Sequence, residues 1–199
     1  MYKHMTLIFA TNNQHKVDEI RNVLGQSLDI ITLKEAGIEA DIPEPYDTLE
    51  ANASGKSAYI FQLTGASCFS EDTGLEVAAL NGEPGVKSAR FAGGHRSFDA
   101  NIDKLLSNLA GKQDRSARFR TVISLLINGK EILFEGICNG QIITEKRGEM
   151  GFGYDPVFIP EGSDRTFAEM TLEEKNRFSH RKKATEKLVA FLNKLSTNH

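Results

Sequence analysis

The sequence of 199 residues lacks long apolar runs and lacks an excess of positive charge. Its longest apolar stretches, such as residues 122–127, are far too short to span a bilayer, and the N-terminal segment has no signal-peptide pattern. Lysine and arginine number 24 against 27 aspartates and glutamates, so there is no basic block to neutralise a nucleic-acid backbone. We therefore expect a soluble, cytoplasmic protein that binds neither membranes nor nucleic acid.

The sequence is also poor in cysteine and has no linker. Cys68 and Cys138 are the only two cysteines, and neither belongs to a CxxC or Cys/His spacing that would bind zinc. In their apolar surroundings we expect buried, reduced thiols. No Pro/Gly/Ser-rich linker, composition break or internal repeat divides the chain, which predicts a single domain over residues 1–199.

The order of the periodic segments predicts an α/β fold. Short apolar runs at residues 7–10, 29–33 and 66–70 are typical of buried strands, and segments between them repeat apolar residues at helical spacing. Further along, the Asn-Gly pair at residues 128–129 lies between two apolar runs and indicates a β-hairpin, and helical periodicity returns after Ser179. Strands alternating with helices, followed by an antiparallel hairpin, predict a mixed sheet.

Polar residues fill the predicted turn between the first strand and the first helix. These residues are Thr11, Asn12, Asn13, Gln14, His15 and Lys16. A strand-to-helix turn presents free backbone N–H groups at the positive end of a helix, which suits an anion such as phosphate. Such turns also use short polar side chains to cap the helix. A phosphate-binding role and a capping role are therefore both open here.

Two adjacent carboxylates, Glu71 and Asp72, are expected where the third strand ends at a turn through Gly74. Neighbouring acids repel each other unless a cation or a shared proton relieves them, so the pair suits a magnesium site, although acid-Gly turns are also common without a function. Glu44 lies in a proline-containing loop, where it could add an oxygen ligand or simply be solvated. Asp72 and Glu44 are thus candidate metal ligands.

A glycine-flanked ring and a cationic helix start lie in the last quarter of the sequence. Phe152 stands between two glycines, which give the ring little support in a core and let a flat ligand approach, so that stacking on a nucleobase fits it. Tyr154 fits the same role or simple packing. His180 and Arg181 open the last predicted helix, where cationic side chains oppose the helix dipole and could instead bind a carbonyl oxygen or a phosphate.

Five short motifs follow one another from about residue 7 to residue 184: TNNQHK, SEDTGL, PGVKSARFAGG, GFGYDPVF and FAEM…EEKN…SHRKKA. Each motif alone is weak, but the five in this order resemble the inosine triphosphate pyrophosphatase family. The resemblance implies an elongated, two-lobed α/β fold with a highly twisted mixed sheet flanked by helices and a central nucleotide-binding cleft. It also implies a homodimer that requires Mg²⁺.

The resemblance further implies an activity, the hydrolysis of non-standard purine nucleoside triphosphates. ITP, dITP and XTP would be split into the monophosphate and pyrophosphate, which cleanses the nucleotide pool. Asp72 matches the family's catalytic acid and, with Glu44, its magnesium ligands. The implied substrate contacts are the turn from Thr11 to Lys16, then Thr73, Phe152, Gly153, Tyr154, Asp155, Lys175, His180 and Arg181.

His180 and Arg181 would bind the purine 6-oxygen, as the resemblance implies. A 6-amino group would leave a buried donor of His180 or Arg181 unpaired, so adenine should be rejected. The sequence does not predict how guanine is excluded.

The sequence departs from the family at two acidic positions. Many relatives carry Glu immediately before the Asn of an ENAxxKA stretch, where this chain has Ala51, with Glu50 one residue earlier. A shift of one residue turns a helical side chain by about 100°. The acid before Asp72 is Glu71, where Asp is frequent. Whether Glu50 or Glu71 joins the metal site stays open.

Two other functions remain as alternatives. One is a related pyrophosphatase for methylated or pyrimidine nucleotides. The other is a non-catalytic module that binds or senses purine nucleotides. The intact charged residues Lys16, Asp72 and Arg181 favour an enzyme over the module, because such groups supply most of the electrostatic part of catalysis.

Overall fold

The computed structural model describes residues 6–25, 28–94 and 97–197, and it confirms the predicted order of strands and helices. The strands are β1 (Thr6–Phe9), β2 (Asp29–Thr32), β3 (Cys68–Val77), β4 (Pro84–Gly85), β5 (Ser116–Ile127), β6 (Lys130–Ile142) and β7 (Phe158–Pro160). The α-helices are α1 (Gln14–Leu24), α2 (Leu49–Thr64), α3 (Phe98–Asn108), α4 (Leu172–Lys175) and α5 (His180–Thr197). None of the helices in these ranges is long and apolar enough to cross a membrane.

Local sequence signals fix where the helices begin and end. Thr48 caps α2, because its side chain accepts a hydrogen bond from the N–H of Ala51. Gly25 ends α1 with a φ of +53°, a conformation that glycine adopts without strain. Thr171 and Glu174 form the capping box of α4, each side chain accepting from the other's backbone N–H.

The sheet is mixed, as predicted. Its strand order is β2-β1-β3-β5-β6-β7, with β4 paired to β3. Strand β1 pairs in parallel with both β2 and β3, whereas the β3–β4 and β6–β7 pairs are antiparallel. Asn128 and Gly129 connect β5 to β6 with φ values of 51° and 72°, as a type I′ hairpin turn requires.

Strand β3 differs from the prediction, which ended this strand before a turn at Gly74. The strand continues to Val77, so Glu71 and Asp72 lie in its middle. Gly74 has another purpose, because a Cβ atom at this position would lie 2.5 Å from the carbonyl oxygen of Gly85 on β4. The glycine permits close approach of two backbones, a tertiary requirement that looks like a turn signal in sequence.

The described chain divides into two compact units. Unit 1 comprises the chain up to Asp72, Thr121–Gly136 and the chain from Arg181 onward, and unit 2 comprises Thr73–Arg120 and Ile137–His180. The predicted single domain, two-lobed outline and central cleft stay predictions.

Each unit has its own hydrophobic core. In unit 1, Phe9 and Phe69 stack with ring centroids 4.5 Å apart among residues of α1, β5 and α5. In unit 2, Phe119 packs against Phe158 and Phe167, at centroid distances of 4.7 Å and 6.1 Å. Both cysteines are buried and free, which confirms the prediction, and burial raises the pKa of Cys68 to about 12.

We expect Gly74→Ala to destabilise the protein by about 1–3 kcal/mol, because overpacking forces rigid backbones apart. The free energy of unfolding from urea titration measures this loss. Gly94→Ala is the matched control, since a Cβ atom there meets nothing within 4 Å. Equal stability of the two variants would contradict the close-approach explanation.

Candidate active site

Seven charged residues of unit 1 form a set that we call the carboxylate–cation network. The elements that supply them are α1, α2, β3, α5 and the loop before α2. The seven are Lys16, Glu19, Glu44, Lys56, Glu71, Asp72 and Arg181. Five of the seven are buried, Arg181 being only 1% exposed, whereas Lys16 and Glu44 are partly exposed. Buried ionisable groups with shifted pKa values cluster at functional sites, so this network is the candidate site.

Glu71 lies at the centre of one half of the network. Arg181 contacts it through Nε at 2.6 Å and Nη2 at 3.2 Å, and Lys16 Nζ lies 2.8 Å from its Oε1. Arg181 also donates from Nη1 to Glu19 on α1. Burial disfavours ionisation of Glu71, but the charges of Arg181 and Lys16 outweigh it and hold the pKa of this carboxyl well below its usual range. Glu71 is therefore a permanent carboxylate.

Asp72 lies at the centre of the other half. Successive side chains of a strand point to opposite faces, and Asp72 forms its ion pair with Lys56 instead of Lys16, although the charge of Lys16 also acts on Asp72. Its Oδ1 lies 3.1 Å from Lys56 Nζ, and the same ammonium lies 2.5 Å from Glu44 Oε1. Burial raises the pKa of Asp72 despite the nearby charge of Lys56. The two carboxylates keep the pKa of Lys56 above its ordinary value although burial lowers it, so Lys56 is a cation.

The donor set at Asp72 and Glu44 fits a hard divalent cation. Two carboxylates already converge on one positive charge, that of Lys56. Mg²⁺ is commonly bound by one or two carboxylates, with the remaining positions taken by water and substrate phosphate. Four acids and three bases leave the network with one excess negative charge, which favours such an ion. Within the described residues, no group of three or more His, Cys, Asp or Glu is arranged to hold a metal alone.

The predicted phosphate turn makes capping and loop contacts. Asn13 caps α1 by accepting from the N–H of Lys16, and Thr11 Oγ1 accepts from the N–H of Asn13 at 3.1 Å. Asn12 donates to the carbonyl oxygen of residue 40, and Gln14 donates to an acid on the next turn of α1. The capping role is thus present, His15 is exposed, and the phosphate role stays a prediction.

Unit 2 contains a second group, which we call the ring–lysine cluster. It consists of Phe119, Phe152, Asp155, Phe167, Lys175 and His180. Lys175 Nζ lies 2.6 Å from Asp155 Oδ2 and 5.1 Å from the ring centroid of Phe152. The same Asp155 oxygen accepts from the N–H of Phe152 at 3.0 Å. The ion pair therefore fixes both the backbone and one side of the half-buried Phe152 ring.

The remaining predicted contacts have different surroundings. His180 is buried and stacks on Phe119, with ring centroids 4.8 Å apart. Tyr154 is 4% exposed and belongs to the hydrophobic core, where its hydroxyl donates to the carbonyl oxygen of Ser88 at 2.8 Å. The packing alternative is thus present, and a base contact of Tyr154 stays a prediction. Gly153 has a φ of +61°, and Thr73 follows Asp72 on β3.

The sequence prediction assigned no site role to Lys56 or Glu19. Lys56 occupies the buried register of α2 with Ala53, Ser57 and Ile60, so an ionic partner could have been inferred from its helical spacing. Glu19 has no comparable signal, because its partner Arg181 is far away in sequence. Glu71, whose role was open, contacts Arg181 and Lys16, while the predicted base contact of Arg181 stays a prediction.

Comparison with known proteins gives a near full-length match. The Ham1 family matches residues 7–191. A Flavobacterium psychrophilum protein named dITP/XTP pyrophosphatase is 51% identical over 94% of this chain and 98% of its own length. One of the same name from Porphyromonas gingivalis is 51% identical over 94% and 96%.

Solved structures agree with this match. The Ham1 protein of Staphylococcus aureus has a TM-score of 0.86 and 39% identity, covering 95% of this chain and 98% of that one. A HAM1 protein from Coxiella burnetii has a TM-score of 0.88 and 36% identity, covering 96% and 100%. The mixed α/β fold is thereby confirmed.

We expect Glu71→Gln to lower the free energy of unfolding by about 3 kcal/mol, because it removes the charge of the carboxylate that two nitrogens of the buried Arg181 guanidinium contact. Urea titration measures the loss. Since the pKa of Glu71 is lowered by folding, its stabilising effect is present above the ordinary glutamate pKa and disappears as the pH falls through the folded value. The difference from wild type should therefore be largest near neutral pH.

Glu35→Gln is the control, because Glu35 forms an ion pair with Arg21 at the surface. We expect a much smaller loss for this variant. A loss for Glu71→Gln no larger than that of the control would contradict the assigned role of Glu71.

Proposed function

The chain belongs to the Ham1 family, and we propose that it hydrolyses ITP, dITP and XTP to the nucleoside monophosphate and pyrophosphate. The observation that carries the proposal is the 51% identity over 94% of the chain to a protein named dITP/XTP pyrophosphatase. The paired carboxylates of Asp72 and Glu44 support it, because a polyphosphate substrate needs a site for its metal ion.

The reaction transfers the α-phosphoryl group to water. The water oxygen bonds to the α-phosphorus while the bond to the bridging oxygen of the β-phosphate breaks, so pyrophosphate leaves with the electron pair. Asp72 orients the water and takes up its proton, directly or through a neighbouring water. Lys56, 3.1 Å from Asp72 Oδ1, holds that carboxylate in place.

Glu44 and Asp72 would hold the Mg²⁺. When bound, the ion neutralises negative charge that develops on the phosphate oxygens. On this proposal Lys16 and the N-terminal turn of α1 bind phosphate oxygens, because a helix N-terminus favours anions. The Lys16 side chain is 15% exposed and adds a positive charge there.

The purine base is assigned to the ring–lysine cluster. Phe152 stacks on the base, with Lys175 and Asp155 fixing that ring. His180 and Arg181 donate to the purine 6-oxygen, which an adenine base lacks. The proposal extends to a cytoplasmic homodimer that acts as one domain, and these parts rest on the family resemblance.

A substrate panel tests the activity. With Mg²⁺ present, we expect rapid pyrophosphate release from ITP, dITP and XTP, and little from ATP or GTP. Asp72→Asn should lower kcat by about 10²- to 10⁴-fold, as loss of a general base does. Nucleotide binding measured by calorimetry should survive in this variant.

Three results would contradict the proposal. Equal turnover of all five nucleotides would show that the protein does not select its substrate by the base. Preference for methylated or pyrimidine triphosphates would indicate the related pyrophosphatase. Nucleotide binding by the wild type without any monophosphate product would indicate the sensing module.

Metal removal tests the ion site. We expect a chelator to abolish pyrophosphate release and added Mg²⁺ to restore it. Glu44→Gln should raise the Mg²⁺ concentration for half-maximal activity by at least about tenfold. Glu39→Gln, an exposed glutamate in the same segment, should leave that concentration unchanged. Equal Mg²⁺ requirements for the two variants would exclude Glu44 as a ligand.

A further inference from the structure

Phe98, the first residue of α3, is a large apolar side chain at the surface of unit 2. It is 43% exposed, and its ring centroid lies 6.2 Å from that of Phe152, at an interplanar angle of 49°. Single exposed apolar side chains are ordinary on protein surfaces. This one, however, contacts the ring that is assigned to base stacking, so its exposed area adjoins that ring.

Contacts of the first turn of α3 hold Phe98 at this place. Ser97 caps the helix, its Oγ accepting a backbone N–H at 3.3 Å. Lys146 Nζ lies 2.8 Å from Asp99 Oδ1 and 3.1 Å from Asp103 Oδ1. The cap stabilises the first turn of α3, and these surface ion pairs connect the helix to the segment that precedes Phe152 in the chain.

The Phe152 ring, which Phe98 contacts, is held by two further residues. Lys175 Nζ lies 5.1 Å from the centroid of Phe152, and Asp155 accepts from the N–H of Phe152. The Phe152 ring is thus half-buried and anchored, and Phe98 keeps 43% of its area exposed. Both rings therefore have exposed apolar area that a flat ligand could bury.

We propose that Phe98 is a second base-contacting residue, which forms one aromatic surface with Phe152. The inference rests on the proposed function, since it assigns the base of the same substrate. Stacking on an aromatic ring tolerates different bases. Phe98 therefore adds affinity for the base in general, and the choice between keto and amino purines is left to hydrogen-bonding groups.

Steady-state kinetics test this role. We expect Phe98→Ala to raise the KM for XTP about 5- to 10-fold while kcat stays within about twofold, because stacking acts on binding and not on the phosphorus. Phe98→Tyr keeps the ring and should restore the KM. The inhibition constant of tripolyphosphate, which has no base, should be unchanged in Phe98→Ala. An unchanged KM, or a parallel rise in the tripolyphosphate constant, would overturn the proposal.

Leu133→Ala is the matched control for these measurements. Leu133 is 45% exposed, close to the 43% of Phe98. It lies on β6, in unit 1. Its truncation should change neither KM nor kcat. A KM increase as large as that of Phe98→Ala would show a general surface effect and would overturn the assignment.

A binding readout separates this inference from the proposed function. The chain has no tryptophan, so Phe98→Trp introduces a single indole fluorophore. IMP should quench its emission, tripolyphosphate should not, and Leu133→Trp should respond to neither. No response of Phe98→Trp to IMP would overturn the base contact even if XTP is hydrolysed. Quenching without any hydrolysis would support the contact and refute the proposed activity.

Discussion

A buried carboxylate remains ionised only where positive charge surrounds it, and unit 1 is built around this requirement at Glu71. Arg181 on α5 and Lys16 on α1 both reach that side chain, which lies on β3. Glu19 accepts a hydrogen bond from Nη1 of Arg181 and so adds a second negative charge beside the guanidinium. The interaction joins a strand to the first and last helices, so the same charges that hold unit 1 together also place Lys16 beside β3.

Successive side chains of β3 point to opposite faces of the sheet, so Glu71 and Asp72 have different roles. Glu71 faces Arg181 and is kept as a permanent anion, whereas Asp72 faces Lys56 and has a raised pKa. Two neighbouring carboxylates would repel each other if they shared one face. Because they point to opposite faces, one can stabilise the fold while the other stays available for metal and water. Each forms its ion pair with a different lysine, Glu71 with Lys16 and Asp72 with Lys56.

Local signals predicted the fold well, and long-range contacts account for the errors. The turn at Asn128 and the cap at Thr171 depend on neighbouring residues, so the sequence was sufficient for both. Gly74 was predicted to form a turn, because glycine is common in turns. In the structure it instead allows close approach of the β4 backbone, a long-range contact that the local sequence does not show. For the site, the resemblance supplied Asp72 and Glu44, but Arg181 meets Glu71 across 110 residues, a contact that no local pattern encodes.

Arg181 lies on α5, 110 residues after its partner Glu71. During synthesis, β3 and α1 leave the ribosome long before this guanidinium does. Until then Glu71 lacks the guanidinium, so unit 1 cannot reach its final charge balance. A chain cut short before α5 would leave this buried acid without its bidentate partner.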